Sequence, residues 1–320
     1  MIFEQARCLR GIHIASRCEK CTQICPASAI ELLPRETKFD PLKCVKCGAC
    51  ANVCPNDAFV GKNLDALLLS QENEIFFTCE QNEANVGVKL PCLAALDISF
   101  LLYAVSLKKS LKIILPNCDS CPNFCVKNVI DETLKNVKEV LAELNLGDKF
   151  EITYTKDANF KKIQENIAQK QTFARRRFFL KMLGKSPDSK SSEQENASNF
   201  SDEKFKKNER FLKALQILCK DGEIPPLKIG RKPVIRGVCA QCSICARVCP
   251  SSALSFKEEK FSLRLDETAC TGCELCADVC FAGAIEFIDK RLDELSKTKL
   301  LYRSQNLVTR DENRVPIYFT

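Results

Sequence analysis

VCAQCSICARVCP, residues 238–250, and ACTGCELCADVCF, residues 269–281, decide how this chain can fold. Cys239, Cys242, Cys245 and Cys249 are spaced two, two and three residues apart, with Pro250 closing the run. Cys270, Cys273, Cys276 and Cys280 repeat that spacing, with Phe281 in the proline position. Cysteines this dense are either cross-links or metal ligands, and the redox compartment decides between them. The first residues, MIFEQARCLR, carry no apolar run or small-residue cleavage site of an export signal. The most apolar stretch, LAALDISFLLYAVSL at 93–107, is broken by Asp97 and is too short for a transmembrane helix. A cytoplasmic chain is therefore expected, in which thiols stay reduced and ligate metal.

Outward from this segment the pattern recurs near the beginning of the chain. Cys44, Cys47, Cys50 and Cys54 with Pro55 form a full motif, whereas the upstream one reads Cys18, Cys21, Cys25 and Pro26, with Ala15 where a leading cysteine would stand. Structural zinc sites use cysteines as two separated pairs and have no use for the middle cysteine of a triplet. Three cysteines two residues apart instead wrap the backbone round one iron–sulfur cubane. The fourth points away to the other cluster of a pair and is expected to start a short helix.

On these residues the chain resembles bacterial-type 2[4Fe-4S] ferredoxin domains, over about fifty residues at the C-terminal end and less completely at the N-terminal end. The resemblance implies one cubane on Cys239, Cys242, Cys245 and Cys280, and a second on Cys270, Cys273, Cys276 and Cys249. In the N-terminal segment it implies a cubane on Cys44, Cys47, Cys50 and Cys25, and leaves Cys18, Cys21 and Cys54 one ligand short. Cys8 is the candidate for that place, because thiolate is the usual cubane ligand; His13 and a three-cysteine [3Fe-4S] centre are the alternatives. Four [4Fe-4S] clusters are thus expected.

Of the 22 cysteines, Cys79, Cys92, Cys118, Cys121, Cys125 and Cys219 are left over. The segment holding most of them alternates strand-like runs (EIFFTC, VGVKLPC, LKIILPNC, KFEITYT) with amphipathic stretches near 93–107, 126–145 and 158–182. That alternation predicts a small α/β domain with a mainly parallel sheet. Cys79, Cys92 and Cys118 would then fall at the carboxyl edge of the sheet, where open α/β sheets place ligands. With Cys121 and Cys125 they could form an additional centre, most simply Cys79 or Cys92 with the Cys118 group. The plain alternative is thiols acting as small hydrophobes. Cys219, in the apolar run FLKALQILC, reads as core.

The expected organisation is α+β: a ferredoxin-like 2[4Fe-4S] domain at 1–62, the α/β domain at 63–185, a Ser-, Asn- and Lys-rich flexible linker at 186–209, a helix and connector at 210–232, a second ferredoxin-like 2[4Fe-4S] domain at 233–290, and a helix and tail at 291–320. Net charge is +7, and residues 161–190 alone carry nine Lys/Arg against two acids. Within them FARRRFFLKMLG matches a twin-arginine core but is internal, so it reads as a basic helix end. Arg175, Arg176, Arg177 and Lys181 would offer a patch for an acidic redox partner or a membrane surface. Four bound cubanes, each contributing about −2, would bring the whole protein to about −1, which removes the motive for general nucleic-acid binding. A single histidine and the absence of GxGxxG and GxxxxGK[ST] motifs turn the reading away from hydrolases and the commonest nucleotide enzymes.

The sequence thus reads as a multi-cluster carrier of single electrons rather than an enzyme, needing no small-molecule substrate. Its place is the cytoplasm or the periphery of a membrane redox complex. The resemblance implies a redox complex such as a formate dehydrogenase or a hydrogenase as partner, and the middle segment is similar, at the level of fold only, to cysteine-bearing iron–sulfur subunits of hydrogenase complexes. Two rival functions are a reductase or maturation enzyme acting at a middle-domain cluster, and an iron–sulfur regulatory or nucleic-acid-binding protein using the 161–190 patch.

Overall fold

A computed structural model describes residues 1–61, 64, 68, 73–83, 87–155, 207–219, 227–257, 262–292, 298–303, 309–310 and 316–317. The architecture is mixed helix and strand. In the first segment β1 (Ile2–Phe3) leads into α1 (Leu9–Ile12), α2 (Lys20–Ile24), the hairpin of β2 (Ile30–Leu32) and β3 (Thr37–Phe39), then α3 (Ala49–Val53) and β4 (Phe59–Val60). β4 returns to pair antiparallel with β1. The cysteine triplets therefore sit on loops at either side of a hairpin, and each loop runs into a short helix.

Those helices end, rather than begin, at the fourth cysteine, which corrects the sequence reading. Cys25 and Cys54 are C-caps in extended conformation (ψ 111° and 116°). The cause is the following proline, which disfavours helical backbone at the residue before it.

The middle segment comprises β5 (Glu74–Cys79), β6 (Val88–Leu90), α4 (Ile98–Ser106), β7 (Ser110–Leu115), α5 (Lys127–Glu143) and β8 (Phe150–Tyr154). The four strands pair in the order β6-β5-β7-β8, every pair parallel. Strands buried on both faces need near-continuous apolar runs, and IIL at 113–115 and IFF at 75–77 supply them. Phe77, Leu111 and Ile113 pack with Leu101, Leu102 and Leu141 from the helices in the largest core cluster. Phe77 meets Phe100 edge-on at 5.9 Å. Asp97 caps α4 by accepting from Phe100 N at 3.0 Å.

The helix expected near 210 is α6 (Lys207–Leu218), whose Ala214 and Leu215 enter the same core. The third segment then repeats the plan of the first. β9 (Leu227–Ile235) leads to α7 (Ile244–Arg247), the hairpin of β10 (Leu254–Lys257) and β11 (Ser262–Asp266), α8 (Leu275–Asp278) and β12 (Ile285–Leu292), which pairs antiparallel with β9. That pairing begins at Leu227, upstream of the expected boundary at 233. No helix is found among the described residues beyond 292. β13 (Thr298–Arg303) instead adds to β11 as a third strand, satisfying the free edge of the β10–β11 hairpin. The helix read at 158–182, the linker up to residue 206 and the basic residues Arg175, Arg176, Arg177 and Lys181 lie outside the described residues.

Gly48 shows how tightly the first segment is seated on the middle one. It caps α3 with φ +81°, and a Cβ there would stand 2.5 Å from the Ala95 Cβ. Gly48→Ala combines a left-handed backbone costing about 1–2 kcal/mol with a clash against an unyielding neighbour. Urea unfolding should therefore show a lowered midpoint, and an unchanged midpoint would contradict this packing.

Candidate iron-sulfur centres

The described thiols gather into groups close enough to act on one another electrostatically. Cys245 is pushed up to about 12, first by burial and then by Cys239, Cys242 and Cys280. The same four line one pocket together with Ile235 and Phe256. Cys276 is likewise raised, by burial first and then by Cys273 and Cys270, with Cys249 also acting on it. Burial raises Cys273 to about 11, aided by Cys249 and Cys270. In the first segment Cys50 is raised to about 12 by burial and then by Cys47 and Cys44, with Cys25 contributing.

Cys8 lies near the incomplete motif in space. Burial raises Cys21 to about 12, and the neighbours that add to it include Cys18, Cys54 and Cys8. Cys18 too feels Cys54 and Cys8. The short helix α1, opening at Cys8, folds the CLRGIHIASRC stretch back so that Cys8 faces the later triplet, with its sulfur 3.3 Å from the Thr37 Oγ1. His13 is engaged differently: its Nδ1 accepts a hydrogen bond from Ala15 N at 3.1 Å, within its own loop.

Backbone N–H groups are aimed at the sulfurs in a repeated pattern. Ala29 N donates to Cys25 Sγ at 3.3 Å, Ala58 N to Cys54 Sγ at 3.3 Å, and Ala284 N to Cys280 Sγ at 3.4 Å, each four residues on. At triplet positions the donor lies two residues on, as with Lys46 N to Cys44 Sγ at 3.3 Å. Gly272 and Leu275 act in the same way on Cys270 and Cys273. Such main-chain donors tune the potential of an iron–sulfur cluster, and no residue type marks them in a sequence. Two lysines were equally hidden. Lys207 Nζ donates to Ala51 O at 2.6 Å and Asn52 O at 2.9 Å, at the carbonyl end of α3 beside Cys54. Lys290, lowered by its burial, donates to Cys270 O at 3.0 Å.

The donor set fits iron–sulfur chemistry. Buried thiols that resist ionisation become thiolates when a cationic iron core replaces their protons. Among the described residues no three His, Cys, Asp or Glu side chains converge tightly enough for a single metal ion.

The groups also lie in series. Cys50 feels Cys21 of the neighbouring group, and Cys276 feels Cys245. Between the end segments, Leu9, Leu275 and Val279 form a buried contact on which Cys18 and Cys273 both pack. Arg17 N donates to Asp278 Oδ2 across it at 2.8 Å. Of the remaining cysteines, Cys79, Cys92, Cys118 and Cys121 line a second cavity. Cys125 instead faces Ile24 O at 3.9 Å, and Cys219 belongs to the main core.

Comparison with known proteins agrees with the cysteine pattern. Residues 16–58 and 238–284 each match the 4Fe-4S dicluster domain. The chain therefore carries two such domains, one toward each end, and binds [4Fe-4S] clusters. Over 41 residues it is 44% identical to a subunit of the ion-translocating oxidoreductase complex of Methanosarcina acetivorans, a stretch covering 13% of this chain and 16% of that protein. The chain thus spans about a sixth of the length of the curated relative it matches. No solved structure matches it.

Cys8→Ser should remove one iron or a whole cubane, a loss of about one to four irons, and a [3Fe-4S] signal in the oxidised EPR spectrum would mark the partial case. Cys219→Ser is the control. Iron content and spectra that match wild type in Cys8→Ser would remove Cys8 from the ligand set.

Proposed function

We propose that the protein is a relay that passes single electrons through a row of [4Fe-4S] clusters, built from ferredoxin-like modules at 1–62 and 233–290 on either side of the middle α/β unit. The ligand sets are Cys239, Cys242, Cys245 and Cys280; Cys249, Cys270, Cys273 and Cys276; Cys8, Cys18, Cys21 and Cys54; and Cys25, Cys44, Cys47 and Cys50. Four thiols of the middle unit, Cys79, Cys92, Cys118 and Cys121, supply a further centre. When bound, each cubane takes up and releases one electron at a time.

The contact of Leu9 with Leu275 and Val279 carries this reading, because it sets Cys18 and Cys273, from different modules, against one apolar patch. The chain's own part is positional. It buries the thiolates away from water, directs backbone N–H groups at their sulfurs and holds the modules in contact through Arg17 and Asp278. Lys207 and Lys290 place positive charge beside Cys54 and Cys270, which favours the reduced, more negative state of a neighbouring cluster.

A membrane-associated or soluble redox complex is the partner class, and formate dehydrogenase and hydrogenase are the candidates. The similarity to a component of an ion-translocating oxidoreductase complex supports the class without choosing a member. Among the described residues no helix is long and apolar enough to cross a membrane, which suits a peripheral subunit.

Anaerobic mixing of the cluster-loaded protein with formate dehydrogenase and formate, or with hydrogenase and dihydrogen, should bleach its visible absorption in at least one case. Leu275→Glu, which charges the contact between modules, should keep its iron yet leave part of the absorption bleaching at least about tenfold more slowly. Uniform bleaching at the wild-type rate in Leu275→Glu would contradict a relay through that contact.

A further inference from the structure

We infer that Cys79, Cys92, Cys118 and Cys121 ligate a fifth [4Fe-4S] cluster at the carboxyl edge of the middle sheet, that Cys125 is not among its ligands, and that this cluster is the end station of the row. The site rests on its own cysteines; only its role as a station rests on the relay reading.

Topology brings the ligands together. The order β6-β5-β7 is parallel, so adjacent strands end on the same side. Cys79 is the last residue of β5, Cys92 follows β6 by two residues and Cys118 follows β7 by three. The single 3-10 turn Cys118–Ser120 then delivers Cys121 to the same place. Three thiols are thus fixed by backbone register and the fourth by a turn.

The C-terminal dicluster domain supplies an internal standard. One of its pockets is lined by Cys239, Cys242, Cys245 and Cys280. The pocket of the middle segment is likewise lined by four cysteines: Cys79, Cys92, Cys118 and Cys121. Its sulfurs receive main-chain N–H groups two residues on, as the triplet cysteines do. Asn123 N donates to Cys121 Sγ at 3.4 Å, Gln81 acts on Cys79 and Ala94 acts on Cys92. Lys127 lines the cavity and supplies a cation near an anionic cluster.

The alternative role, thiols as small apolar fillers, is represented in the same molecule by Cys219. Cys219 packs in the main core after α6, whereas Cys79, Cys92, Cys118 and Cys121 line one pocket together.

Cys125 is turned out of the cavity. Its sulfur points to Ile24 O at 3.9 Å, on the helix that ends at Cys25, and it acts on Cys47. It therefore lies between the fifth site and the cubane of Cys25, Cys44, Cys47 and Cys50. Shared apolar packing gives the order of stations, with Cys92 beside Cys47, Cys50 beside Cys21, Cys18 beside Cys273 and Cys276 beside Cys245: the middle site, the Cys25 group, the Cys8 group, the Cys249 group and the Cys239 group.

Full-length protein reconstituted anaerobically with iron and sulfide should hold about 20 irons rather than about 16. Cys92→Ser and Cys121→Ser should each lose about four irons, and Cys125→Ser should lose none. Cys121 lies on a half-buried turn outside the core, so its replacement tests the site without disturbing the fold. About 16 irons in wild type, unchanged in Cys121→Ser, would overturn the fifth cluster and leave the relay of the end modules standing. A loss in Cys125→Ser equal to that in Cys121→Ser would overturn the ligand assignment. Zinc in place of iron throughout would overturn the relay as well.

Discussion

Buried thiols that water cannot ionise are the constraint on which this structure depends. Cys50 and Cys276 belong to the hydrophobic cores of their own modules, and the N-terminal core otherwise comprises little more than Ile30 and Phe59. A module of about fifty residues buries too little apolar surface to be stable by itself. Bonds from several thiolates to one iron core add to what side-chain packing supplies, which couples cluster binding to the stability of the end modules.

The middle sheet plays the opposite part. Its core is continuous and apolar, and it extends to Cys47 and Ala49 of the first module and to Ala214 and Leu215 of α6. That helix joins the three parts by its polar side chains. Lys207 pairs with Asp57 at 3.5 Å, Asn208 donates to Thr268 O at 3.0 Å, and Arg210 pairs with Asp97 at 3.1 Å. Asp97 thus has two duties, capping α4 and anchoring α6. The order of the metal-binding groups follows from this assembly, because each module is held against its neighbour by a contact that also carries cysteines.

Much of this was legible in the sequence because it is local. The triplet spacing names its chemistry, the alternation of EIFFTC and LKIILPNC with amphipathic stretches predicts parallel strands, and the C-P step marks three of the four fourth cysteines, Cys25, Cys54 and Cys249. The helix direction at that cysteine was misread because the motif gives spacing and not backbone conformation, which the proline sets. Long-range information was absent. Nothing in KNERFLKALQIL indicates that α6 would clamp three modules, and nothing local shows that Leu9 would meet Leu275 or that Cys8 would lie beside Cys18 and Cys21. The five thiols of the middle segment were recognised as a set, but Cys125 could be separated from Cys79 and Cys92 only in three dimensions. The strand TKLLYR was missed in a segment read as helix and tail, because its place is fixed by the open edge of β11 and not by its own pattern.

The central claim is that the clusters stand close enough in one row to exchange electrons, and the most direct test is EPR of the fully reduced protein. Paramagnetic cubanes in adjacent stations should give a spectrum broadened by spin–spin interaction, with fast relaxation that slows when the contact of Leu9 with Leu275 is broken. A simple sum of narrow, isolated cubane signals, unaffected by that contact, would contradict the account.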